Sequence, residues 1–165
     1  YQMREDEVYI YTKEWLKFND FKIIAGQPPK GSDNIPVVEI KSLNNLDKGS
    51  KDAFKPDLIA INSKNLLIIE CKPIHDLKDE KKLEKIMFDN RRKELFYNEL
   101  NQRKLILNSG FFHYFNSKSL FLNKLKFCLA NTSSTKMKNI NNIKIDKKIL
   151  NSKLISSFNE VNKIN

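Results

Sequence analysis

Apolar side chains recur at Val8, Tyr11, Trp15 and Phe18, a spacing that predicts one amphipathic helix over residues 5–19. Phe21 to Ala25 then has the β-rich character of a strand. Gln27-Pro28-Pro29-Lys30-Gly31-Ser32 breaks regular structure, and Ile35 to Ile40 is expected as a second strand. Residues 42–55 are polar and rich in turn formers, as expected of a surface excursion. Two compact apolar runs follow, Asp57-Leu58-Ile59-Ala60-Ile61 and Leu66-Leu67-Ile68-Ile69-Glu70-Cys71-Lys72. The Asn62-Ser63-Lys64-Asn65 stretch between them has turn chemistry, so the pair is predicted as a β-hairpin, with Pro73 closing its second strand. Both faces of these strands are apolar, which places them in the middle of a sheet covered on both sides.

A charged zone over 76–103 carries Leu83, Ile86, Met87, Leu95 and Leu100 as inward positions, and its period breaks near Asn90, which suggests two helices. One more strand is expected at Lys126 to Ala130. The segment 132–145 is polar, and Asp146 is placed to cap a last helix lined by Leu150, Leu154, Phe158 and Val161. The expected architecture is therefore α/β: a central mixed sheet flanked by helices, with a C-terminal helical extension. The division drawn is a domain over 1–131, followed over 132–165 by a basic linker and a helix packed on the same domain.

The hairpin register is what brings chemistry into the picture. A turn centred on Ser63-Lys64 pairs Ile61 with Leu66 and Ile59 with Ile68, and sets Asp57 opposite Glu70. Alternation puts Lys72 on the same face and Cys71 on the other. Two facing carboxylates at the end of buried strands repel. Lys72 supplies one compensating charge. A divalent cation supplies two and suits oxygen ligands, and a hard Mg²⁺ (or Mn²⁺) also binds phosphate oxygens, as phosphodiester hydrolysis requires. The competing account is a salt-bridge cluster in which Lys72 only balances two strand-end acids.

Pro56-Asp57, twelve intervening residues and then Glu70-Cys71-Lys72 resembles the PD-(D/E)XK nuclease superfamily, which includes many restriction endonucleases. The resemblance implies a restriction-endonuclease-like core over residues 5–131, with Asp57 and Glu70 as metal ligands. It makes Lys72 the residue that orients or activates water, and the backbone carbonyl of Cys71 a further ligand. Many members add a carboxylate from the first helix. Glu7 and Glu14 are the candidates, and Glu7, flanking the face marked by Val8 and Tyr11, is preferred. The implied activity is Mg²⁺-dependent endonucleolytic cleavage of DNA, of restriction or defence type. Repair, junction-resolving and transposase-associated nucleases are alternatives, as is a catalytically inactive nucleic-acid-binding module of the same fold.

The net charge of +10 changes the picture only through its distribution. Residues 1–50 hold 7 basic and 8 acidic side chains, residues 51–110 hold 13 and 10, and residues 111–165 hold 10 and 2. A polyanionic partner, here DNA, accounts for that gradient. So does a lysine-rich composition, since only 4 of the 30 basic residues are Arg. Lys78, Lys81, Lys82, Lys85, Arg91, Arg92 and Lys93 are placed to follow a phosphate backbone, although acids are interspersed among them. Glu39-Ile40-Lys41 repeats the Glu-x-Lys pattern without a registered Asp partner and is read as a decoy. Gln27 and His75 lie near the site, and His113 sits in an aromatic cluster better suited to core packing than to stacking bases. Few glycines and no phosphate-binding loop argue against a nucleotide-driven motor. No apolar run approaches the roughly 20 residues of a membrane span. Cys71 and Cys128 lack zinc-ligand spacing, and with no export signal in view the expected compartment is the cytoplasm. A homodimer is one arrangement that supplies two active sites for cutting both strands.

Overall fold

A computed structural model describes residues 2–42, 52–146 and 164. Five strands form one mixed sheet in the order β1-β2-β3-β4-β5: β1 is Lys22–Gly26, β2 Leu58–Ile61, β3 Leu66–Cys71, β4 Leu125–Asn131 and β5 Asn141–Lys144. β1 and β3 both run antiparallel to β2, while β3, β4 and β5 run parallel to one another. The hairpin has the expected register, Ile61 opposite Leu66 and Ile59 opposite Ile68. Its turn is closed by the Asn62 side chain, whose oxygen accepts from the Lys64 and Asn65 amides at 2.9 and 2.8 Å.

The alternation of β2 and β3 divides the core in two. Leu58, Ala60, Leu67, Ile69 and Cys71 pack under α1 (Glu5–Phe18) with Val8, Trp15 and Leu16. Ile59, Ile61, Leu66 and Ile68 face the other way, into a core closed by α2 (Leu77–Met87), α3 (Asn90–Gln102) and α4 (Leu105–Ser109), with Phe115 from a 3-10 turn and Phe121 from α5 (Lys118–Lys124). Both hairpin strands are buried along their whole length, as central strands must be. α1 buries Val8, Tyr9, Thr12, Trp15 and Leu16, so its inward stripe is rotated from the expected one and Phe18 is exposed. Helices α2 and α3 separate where the period breaks. Asp76 and Asp89 cap them by accepting from the Lys78 and Arg92 amides.

Two expectations are corrected, and a stretch with no assigned element is filled. Ile35 to Ile40 forms no strand: only Ile40 makes an isolated bridge, to Phe54, and Pro36 uses its carbonyl on the Gly26 amide. Lacking an N–H, Pro36 cannot continue a ladder. Residues 105–124, which carry no sustained period, form short helical turns. The polar segment 132–145 contains β5, with a single fully buried apolar residue, Ile143. The helix expected after Asp146 lies outside the described residues. Among those residues no helix is long and apolar enough to cross a membrane.

Candidate functional site

The strand directions bring the start of β2 and the end of β3 to the same edge of the sheet. Asp57 precedes Leu58, which pairs with Ile69, so the next pair outward is Asp57 with Glu70. By alternation both face the α2 side, while Cys71 turns toward α1, where its thiol lies 3.9 Å from the Thr12 hydroxyl. Asp57 is fixed further by its own side chain, since Oδ2 accepts the Cys71 amide at 2.8 Å. Its backbone is held from β1, where the Gln27 amide donates to the Asp57 carbonyl at 2.9 Å. Gly26 makes that approach feasible: a Cβ there would stand 2.8 Å from the Asp57 carbonyl oxygen and 2.9 Å from Ile35 Cδ1.

The two acids are directly opposed across the hairpin. Burial first, and the hydrogen bond and charge of Glu70 next, push the Asp57 carboxyl up to about 9, against the opposing Cys71 amide. Glu70 is 6 % exposed, and its Oε2 accepts from Lys82 Nζ at 3.1 Å. Lys72 follows β3 directly and is anchored by its amide on the Ala130 carbonyl. The neighbouring segment is tied to β4 where the Thr132 amide and hydroxyl donate to the Pro73 carbonyl. Partial burial works against the Lys72 charge, but Asp79, Glu5 and Glu70 together outweigh it and hold the ammonium above the ordinary lysine range. Asp79 is itself raised, by burial, with Lys72 opposing.

Glu7 is engaged at the start of the first helix. Glu7 Oε1 accepts the Arg4 amide at 3.1 Å and lies 3.5 Å from the Arg4 guanidinium, the reciprocal half of a helix cap. Glu14 is exposed farther along α1. A carboxylate of α1 that meets a site residue is Glu5, 3.4 Å from Lys72 Nζ. The cap residue is Arg4 rather than Ser, Thr, Asp or Asn, so the sequence carries no capping-box signature that would have assigned Glu7 to the helix start.

Beside the site opens a cleft of about 840 Å³, lined on the charged side by Lys72, Asp79, Lys82 and Lys85 and closed by Phe54 and Ile86. Asp57 and Glu70 are not part of the lining. His75 lines the same cleft, with Nε2 2.8 Å from Glu80. Arg92 does not follow the surface: it is 5 % exposed and donates to the carbonyls of Lys41 at 2.9 Å, Asp52 at 2.8 Å and Ile40 at 3.4 Å, fastening the segment around Phe54 to α3. Glu39 and Lys41 lie 3.6 Å apart. His113 is exposed and edge-on to Tyr114, whereas Phe115 is buried. Both thiols are free and buried.

Among the described residues no three His, Cys, Asp or Glu side chains gather closely enough to hold a metal ion by themselves. The two that do meet, Asp57 and Glu70, offer hard oxygen donors in a setting that disfavours both being charged without a cation, which fits Mg²⁺ or Mn²⁺. No protein-family model, curated protein or solved structure matches the chain.

Proposed function

We propose that this chain is a Mg²⁺-dependent DNA endonuclease with a restriction-endonuclease-like core, of restriction or defence type. The observation that carries the reading is the pairing of Asp57 and Glu70 on one face at the end of a buried hairpin, with Lys72 beside them. Glu5 and Asp79 add negative charge beside Asp57 and Glu70, and a divalent cation at the acid pair would relieve the repulsion there. Asp57 and Glu70 would hold the ion. In a strand the N–H and C=O of one residue point to the same neighbour, so the Cys71 carbonyl is directed to the Asp57 side as a third donor.

When bound, the metal supplies Lewis-acid polarisation of the phosphate and favours ionisation of the attacking water. Lys72 orients that water or neutralises charge developing on the scissile phosphate. Glu5 and Asp79 hold the Lys72 ammonium in place, and the basic wall of the cleft receives the phosphate backbone. A homodimer would supply two such sites for cleavage of both strands.

A second reading, a nucleic-acid-binding module of this fold without activity, is favoured by one observation: among the described residues no third His, Cys, Asp or Glu joins the acid pair closely enough to complete a metal site. Incubating plasmid and branched DNA with Mg²⁺ or Mn²⁺ separates the two. Cleavage that Asp57→Ala abolishes supports the nuclease; cleavage of branched substrates alone assigns a repair or junction-resolving role. Salt-dependent binding with no cleavage, unchanged in Asp57→Ala, supports the module.

A further inference from the structure

Among the described residues Lys82 is the cation that pairs with a proposed metal ligand, and its side chain is half exposed. It projects from α2, its side chain is 49 % exposed, and its ammonium lies 3.1 Å from Glu70 Oε2 and 4.6 Å from the centre of the Phe54 ring. Leu83 and Ile86 anchor the same helix in the core, so the stem of Lys82 can swing without moving α2. On its other side the side chain lines the cleft that Lys72 and Lys85 also line. An ammonium at this distance and a divalent ion on the same carboxylate repel strongly.

We propose that Lys82 is a tethered counter-ion: it neutralises Glu70 while the metal is absent, yields the carboxylate when the metal arrives, and moves into the cleft to take a phosphate of the nucleic acid. The inference rests on the metal-site reading above and assigns to one residue both a brake on metal binding and a substrate contact. An ion pair that merely supports the fold predicts the opposite metal response, because its loss would loosen Glu70 and weaken binding. The exchange also couples the two ligands: the metal frees the lysine that meets the phosphate, and a phosphate that holds Lys82 favours the metal.

The test uses the full chain, with Lys82→Gln and the charge-preserving Lys82→Arg. Titration with Mn²⁺, followed by the electron paramagnetic resonance signal of the free ion, reads metal affinity without any reaction. Lys82→Gln should bind Mn²⁺ about tenfold more tightly than the parent, the effect of removing one charge a few ångströms from a divalent ion in a partly exposed setting. Lys82→Arg should stay close to the parent. A duplex oligonucleotide titrated in Ca²⁺ should show weaker binding to Lys82→Gln, and in EDTA the two proteins should differ little. Equal or weaker Mn²⁺ binding by Lys82→Gln overturns the proposal, as does unchanged DNA affinity in Ca²⁺. If neither protein binds Mn²⁺ at all, the metal site itself is refuted, which is a different result from a site that binds but does not respond to Lys82.

Discussion

The raised carboxyl of Asp57 makes the stability of the metal-free protein depend on pH in an unusual direction. The Asp57 carboxyl is raised from 3.8 to about 9, by burial and then by Glu70. Between those values the folded chain keeps a proton that the unfolded chain has released. Its contribution to stability is complete below about pH 4, declines as the pH rises, and is gone above about 9. One proton corresponds to about 1.4 kcal/mol per pH unit, so raising the pH from 6 to 8 costs the metal-free protein about 3 kcal/mol at this site. For a chain of this size that is roughly 6–12 °C in Tm. Asp57→Asn keeps an oxygen for the Cys71 amide and cannot titrate, so this share of the pH slope should vanish. The comparison is a calorimetric melt of both proteins in EDTA at pH 6, 7 and 8: the variant should gain on the parent at each step. Adding Mg²⁺ at pH 8, at about 100 times its Kd, should then return about 2.7 kcal/mol to the parent and almost nothing to the variant. A constant offset between the two proteins across this range, or an equal response to Mg²⁺, would refute the reasoning.

Glu5→Gln should lower the rate of DNA cleavage at saturating Mg²⁺ with a stability loss under about 1 kcal/mol, because its ion pair with Lys72 is about a third exposed; Glu7→Ala should cost about 0.5–1 kcal/mol through the lost cap and leave the rate unchanged. Gly26→Ala should destabilise by about 1–3 kcal/mol in urea denaturation and weaken Mg²⁺ binding, since the added methyl would displace the Asp57 backbone. Arg92→Ala should cost about 3 kcal/mol or more by leaving the carbonyls of Lys41, Asp52 and Ile40 without their buried donor. In fluorescence anisotropy its DNA affinity should match the parent's, whereas an Arg92 that held phosphate would reverse that result.

The hairpin was legible because its information is local. Turn residues and two apolar runs fix the register, and the register fixes which acids face each other. The helix break near Asn90 was legible for the same reason, as a change of period with a capping Asp89 just ahead of it. β5 was not, because it is an edge strand of Asn141-Asn142-Ile143-Lys144 whose place is set by β4 rather than by its own propensity. The Ile35–Ile40 segment reads as a strand by composition. It buries Val38, Glu39 and Ile40 consecutively, and Arg92 on a distant helix takes up the Ile40 and Lys41 carbonyls. Glu5 and Asp79 were invisible as site residues, and Lys82 was legible only as one of a row of cations along a helix and not as the partner of Glu70, since each reaches the sheet edge from a helix whose docking cannot be read from spacing. The first helix in fact lies on the sheet face opposite the acid pair, and only its first turn reaches around the edge to Lys72.

The Asn62–Asn65 turn at the far end of the hairpin sets a rule for which changes in gene length the site can survive. Added residues at the tip only enlarge a loop, and closure entropy rises slowly with loop length. As long as Ile61 still meets Leu66, the acids meet as before, however long the connection grows. A single codon gained or lost within Leu58–Ile61 or Leu66–Cys71 instead turns one acid to the opposite side of the sheet, beneath α1. Tolerated length variation should therefore concentrate at Ser63-Lys64, with the strands between the tip and the acids fixed in length.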